Sequence, residues 1–113
     1  MQKPKGFIEV KQSYEALKET LKIQPVNVSF AVGRDFLFYN GAGIYSGADC
    51  ASELNHSMLA VGYGVWAGVE YISVMNSWGE DWAYEGFAFI EFKQEGHGVC
   101  QIYADNIVPV LTH

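Results

Sequence analysis

Two residues with proton-handling chemistry stand twenty positions apart in this chain. Asn55-His56-Ser57 opens a run that is otherwise apolar and strand-like, and Asn76 begins Asn76-Ser77-Trp78-Gly79 at the end of another such run. Imidazole changes charge near neutral pH, which suits it to proton transfer. A side-chain amide accepting from one ring nitrogen fixes the tautomer and leaves the other nitrogen free to carry a proton. If the two runs pair, His56 and Asn76 have the types needed for the base-and-orienter half of a nucleophilic triad. Spacing alone leaves a second reading open, in which His56 is a hydrogen-bonded structural residue. No nucleophile is evident beside them. The two cysteines, Cys50 and Cys100, are compatible with buried thiols, one disulfide or half a metal site. A disulfide would close a loop of about fifty residues, contribute roughly 3–4 kcal/mol in the chain-entropy picture and imply an oxidising compartment. Cys50, His56, His97 and Cys100 also spell a loosely spaced Cys2His2 zinc pattern.

These residues need elements to hold them. Phe7–Val10 alternates and reads as a short strand. Tyr14, Leu17 and Leu21 recur at helical spacing, Ser13 suits an N-cap and Pro25 stops the helix, so the pattern predicts a helix over 14–22. Residues 26–32 alternate with β-formers and predict a strand. Residues 34–50 read as a short helix or turn followed by an irregular glycine-rich loop. Residues 57–64, 69–78 and 86–92 form three further strand-like runs punctuated by glycines. The tail from Cys100 reads as extended, with Pro109 favouring a sheet edge. Met1–Lys5 reads as a loop. One helix followed by mostly antiparallel strands, with no repeat and no linker, makes residues 1–113 a single α+β domain.

Composition narrows the function. Half of the residues are apolar, too many for a disordered segment. No apolar run approaches the ~18 residues of a membrane span. Net charge is −6, and from Asp35 onward Lys93 is the only lysine or arginine against ten acidic residues. A nucleic-acid partner needs the opposite charge. The acidity suits work at low pH, where protonation relieves self-repulsion.

The motifs taken together are more specific. "CASELNHSMLAVGYG", "YISVMNSWGEDWAYEGFAFI" and "GHGVCQIY" resemble the C-terminal half of papain-like cysteine peptidases of the cathepsin type. "KGFIEV", "ALKETLKIQPVNVSFAV", "DFLFYNGAGIY" and "NIVPV" follow in the family's order, so the resemblance runs over essentially the whole chain. It implies the strand-rich C-terminal lobe of the papain-like fold, a barrel-like antiparallel sheet with one main helix at its edge. It implies that His56 is the acid/base paired with a thiolate, that Asn76 orients it, and that Trp78 shields their hydrogen bond from water. Trp82 resembles the tryptophan lining the leaving-group side of the cleft. Cys50 and Cys100 match a family disulfide, which removes both as nucleophile and argues against the zinc pattern. The family nucleophile sits in a Cys-Gly-Ser-Cys-Trp-like motif of the N-terminal lobe, and that motif does not occur in these 113 residues.

The resemblance therefore implies part of a cysteine endopeptidase, inactive by itself, acting without metal or cofactor. Its expected partners are the N-terminal lobe, peptide substrates, protein inhibitors and a pro-segment, in a lysosome or vacuole or outside the cell. The alternative is a stand-alone, non-catalytic domain that binds peptides, pro-segments or peptidase inhibitors. By the same resemblance Ser29, Leu54, Asn55 and Ser57 wall the pocket for the substrate's second residue, P2, with Asp105 near its floor. Ser57 stands where the family has a small apolar residue, and Ala83-Tyr84 where it has glycine and glutamate. Asn27-Val28-Ser29 and Asn55-His56-Ser57 are glycosylation sequons. One falls within a predicted strand and one at the candidate catalytic histidine, so neither is expected to carry a glycan.

Overall fold

The computed structural model describes residues 7–109; the Met1–Lys5 segment lies outside them. Six strands form one sheet: β1 (Phe7–Val10), β2 (Val26–Phe30), β3 (His56–Trp66), β4 (Val69–Met75), β5 (Phe87–Glu91) and β6 (Asn106–Pro109). Their spatial order is β1-β6-β2-β3-β4-β5, and every neighbouring pair is antiparallel. β1 and β5 are the two margins, so the sheet is open and not closed into a barrel. Tyr45 lies along the β5 margin, giving its N–H to Phe89 and accepting from the Glu91 N–H.

The alternation read from the sequence becomes the core face. Val26, Val28 and Phe30 of β2, Met58 and Ala60 of β3, Ile72 and Val74 of β4, and Ala88 and Ile90 of β5 are all buried. Helix α1 (Tyr14–Leu21) starts where Ser13 caps it by accepting from the Ala16 N–H. It buries Leu17 and Leu21 and packs against β1, β2 and β3, so it crosses one face of the sheet instead of standing at its edge.

Two expectations for the tail change. Residues 99–101 form a 3-10 turn in place of extended chain. Cys100 and Gln101 adopt positive φ there, 48° and 61°, because Cys100 must reach back to Cys50 while Ile102 and Tyr103 are buried. Pro109 ends a strand flanked by both β1 and β2, yet β2 pairs only with Asn106 and Ile107. At Pro109 β6 has one neighbour, which is where a missing N–H is tolerated.

A polar link ties α1 to β4. Lys18 Nζ donates to Glu70 Oε2 at 2.7 Å, and the Tyr14 hydroxyl donates to Glu70 Oε1. Burial pushes the Glu70 carboxyl up, but the hydrogen bonds from Lys18 and Tyr14 outweigh it and hold the group below its ordinary value of 4.5. A depressed carboxyl contributes stability above its unfolded pKa and loses it as pH falls through the folded value. Glu70→Gln is therefore expected to flatten the fall in stability with acid below about pH 4.3. Unfolding curves collected from pH 5 downward check this; an unchanged slope would show that Glu70 is not held ionised.

Candidate active site

The polar start of β3 is accounted for by its neighbours. Asn55 accepts the Val32 N–H at 2.8 Å and donates to the Val32 carbonyl at 3.1 Å, and its own N–H reaches the Phe30 carbonyl. These bonds anchor the chain entering β3 to the end of β2. His56 follows, in register with Phe30. It shares the core-facing parity of Met58 and Ala60 but sits half-buried at the rim.

Asn76 leaves the end of β4, and its N–H is held by the Gly86 carbonyl at 3.0 Å. Its side chain is buried, and its Oδ1 lies 2.8 Å from His56 Nε2. The same Oδ1 accepts the Ser77 N–H at 2.8 Å. A backbone donor at that atom settles which end of the amide faces the ring. Nε2 must then be the protonated nitrogen, and Nδ1 is left to take up or release a proton. Trp78 stacks on the imidazole, with centroids 4.9 Å apart and planes 26° apart. Excluding water strengthens the bond beneath it.

Trp82 is half-buried and meets Trp78 edge-on at 5.0 Å. Its indole N–H donates to the Leu37 carbonyl at the end of α2 (Arg34–Leu37). Behind both indoles lies Phe36, 5.9 Å from Trp78 and 5.1 Å from Trp82. Tyr45 extends this cluster; burial pushes its phenol up, as does its hydrogen bond to Asp35. The Tyr45 hydroxyl lies 4.0 Å from the sulfur of Cys100. Cys50 and Cys100 are joined in a disulfide. With both sulfurs bonded to each other, the Cys2His2 zinc pattern has no thiolates to offer.

The residues expected to wall a P2 pocket divide. Ser29, Ser57 and Asp105 line a small cavity of about 110 Å³ together with Asn27, Val28 and Ile107. Ser29 faces Ser57 across the β2–β3 pair, and its hydroxyl lies 3.3 Å from the exposed Asp105 carboxylate. Leu54 and Asn55 are not in its lining; the Asn55 amide is committed to Val32. Asn27 was missed, although it stands two residues before Ser29 and so on the same face of β2. Phe36 was missed as part of the site because nothing local marks it.

Antiparallel strands, an imidazole hydrogen-bonded to an asparagine under a tryptophan, and a disulfide between Cys50 and Cys100 come together at one end of the sheet. The chain belongs to the papain family of cysteine proteases, whose family model matches residues 1–110. It is 37% identical over 110 residues to the cysteine endopeptidase RepA of Oryza sativa subsp. japonica, covering 93% of this chain and 29% of that protein. It is 38% identical over 100 residues to pro-cathepsin H of Bos taurus, covering 85% of this chain and again 29% of the relative. Bromelain from Ananas comosus, solved with the E64 inhibitor, superposes with a TM-score of 0.87 at 29% identity, over 95% of this chain and 50% of its own. The ragweed cysteine protease Amb a 11, in its proform, gives 0.87 at 29% identity over 100% of this chain and 31% of its own. The chain thus spans between a quarter and a third of these two curated relatives.

The loop after Trp82 carries the departure from the family pattern. Ala83 has φ of 52°, in the left-handed region, where a side chain costs about 1–2 kcal/mol. Tyr84 packs outward against Phe89. Ala83→Gly is expected to raise stability by about 0.5–1 kcal/mol after the extra entropy of unfolded glycine is set against the relieved strain. A higher denaturant midpoint at unchanged slope is the expected reading, and a lower midpoint would contradict it.

Proposed function

We propose that this chain supplies the acid/base side of the active site of a papain-type cysteine endopeptidase. The observation that carries the reading is the His56 Nε2–Asn76 Oδ1 contact of 2.8 Å beneath the stacked indole of Trp78. Asn76 is read as the orienter and Trp78 as the shield. The disulfide occupies both cysteines of the chain, so the nucleophile belongs to a further lobe outside these residues. Its thiol gives a proton to His56 Nδ1, and the imidazolium stabilises the resulting thiolate. The thiolate adds to a peptide carbonyl. His56 returns the proton to the departing amine as the C–N bond breaks, leaving a thioester. Water, deprotonated by the same nitrogen, then releases the acid and restores the thiol.

The second face of the sheet supports a partner lobe: Val61 and Met75 are exposed there, and such apolar surface favours being covered. A pro-segment is a further proposed partner, and the disulfide supports passage through an oxidising compartment on the way to a lysosome, a vacuole or the exterior. Labelling protein from its source with an E64-type epoxide tests the reading. A labelled cysteine on polypeptide purifying with this chain is expected. Asn76→Ala should then lower kcat by roughly 100-fold or more with little change in KM. No labelled cysteine, with the chain recovered alone, would overturn the proposal in favour of a non-catalytic peptide-binding domain.

Ser29, Ser57 and Asp105 are proposed to receive the P2 side chain. A carboxylate beside a partly closed cavity attracts a cation more strongly than one in open water. Substrates with arginine or lysine at P2 are expected to be cleaved alongside those with P2 leucine, and Asp105→Ala should reduce cleavage of the first while sparing the second. Equal loss of both in a P2 substrate series would remove Asp105 from specificity.

A further inference from the structure

We infer that the outer face of the sheet carries a binding site for a small, soluble quaternary-ammonium compound, built by Trp66, Tyr71 and Phe89. Residues that alternate with the buried Ile72 of β4 and with Ala88 and Ile90 of β5 stand on the side away from the core. Tyr71 and Phe89 are two of these, and their rings meet edge-on at 5.5 Å. The Tyr71 ring lies over Gly64, its partner on β3, where a Cβ would fall 2.7 Å from the Tyr71 hydroxyl. Trp66, two residues further on, is exposed on the same side at the hairpin end. With Ile44, Gly41 and Gly43 of the β2–β3 connection, the three aromatic residues line a cavity of about 300 Å³. It shares no residue with the His56–Asn76 pair, and Met75 lies at the opposite end of β4 from Val69, the partner of Trp66.

The lining selects the ligand. Aromatic rings attract a cation, tryptophan most strongly. No lining side chain is charged, and the Tyr71 hydroxyl is the one side-chain acceptor among them. Lysine and arginine head groups are rich in N–H donors, most of which such a site would leave unpaired. A quaternary ammonium has no N–H to satisfy, and its alkyl groups suit apolar walls. Glu91 supplies the opposite charge. It stands across from Tyr71 and two residues after Phe89, on the same side of the sheet. The ion pairs among the described residues are Lys18–Glu70 and Lys22–Glu19. Glu91 is in neither, although Lys93, the only lysine or arginine from Asp35 onward, is two positions away. The cavity volume falls at the lower end of small-molecule sites, about 300–1,000 Å³, which is room for a whole molecule of choline size.

Choline is the probe, titrated by calorimetry into the protein purified from its source. It should bind about 3- to 30-fold more tightly than its neutral carbon isostere, in which a tert-butyl group replaces the trimethylammonium. Added salt should narrow that gap by screening Glu91. In the full-length protein, Trp66→Ala should weaken choline binding by a similar factor. Glu91→Gln should weaken choline binding and leave that of the isostere unchanged. Trp66 is exposed and Glu91 half-buried, so neither change removes a core contact. Equal binding of choline and its isostere would overturn the inference, as would choline binding undiminished in Trp66→Ala. So would the absence of binding by free choline; capture of phosphatidylcholine vesicles in that case would make the same face a lipid contact and not a small-molecule site. Because the readout needs no turnover, its outcome is independent of the peptidase reading.

Discussion

Everything at this site depends on one register, the antiparallel pairing of β3 with β4. Leu59 lies opposite Met75. Continuing by one step sets Asn76 level with Met58, and a diagonal neighbour across a strand pair is within side-chain reach. A slip of one residue would turn His56 to the other face and part it from Asn76. The register is held where it matters by packing, since Met58, Ala60 and Val74 on these strands are buried. A bulge between Ala60 and Gly62 then shifts the distal half of the hairpin. The end that brings His56 to Asn76 keeps its own alignment.

The second determinant is long-range. The β2–β3 connection, residues 31–55, carries little regular structure, yet it supplies Phe36, Tyr39 and Tyr45 to the aromatic cluster. Three kinds of restraint replace a regular element there: the disulfide, the Asn55 bridge to Val32, and the hydroxyl of Tyr39, which donates to the Gly43 carbonyl at 2.6 Å. In a 113-residue chain the stabilisation per residue from burial is limited, so a covalent closure of a fifty-residue loop carries weight at about 3–4 kcal/mol.

Much of this was legible in the chain itself. Alternation in 26–30 and 69–75, the Ser13 cap and the helical spacing of Leu17 and Leu21 are local signals, and each produced the expected element. His56 and Asn76 were legible because their types are uncommon at the ends of apolar runs. The 3-10 turn at Cys100 was not, because its cause is the disulfide and not local propensity. Leu54 and Asn55 fell outside the small cavity for a similar reason. Asn55 has both amide atoms engaged by the Val32 backbone, and a single sequence does not say which of several backbone partners an asparagine will take. Phe36 looked like one more aromatic in a short helix; only three-dimensional packing gives it neighbours from three separate segments.

The Tyr45 crossing at the β5 margin has a consequence for how these molecules behave at high concentration. A sheet edge with free N–H and C=O groups is a template for another strand. On β5 five of the outward groups are already engaged. Phe87 exchanges bonds with Tyr84, Phe89 gives its N–H to the Tyr39 hydroxyl and its carbonyl to Tyr45, and the Glu91 N–H goes to the Tyr45 carbonyl. The loop that seats the aromatic cluster thus also denies neighbouring molecules a place to add a strand, and polymerisation through that side of the sheet would first require the loop to peel away.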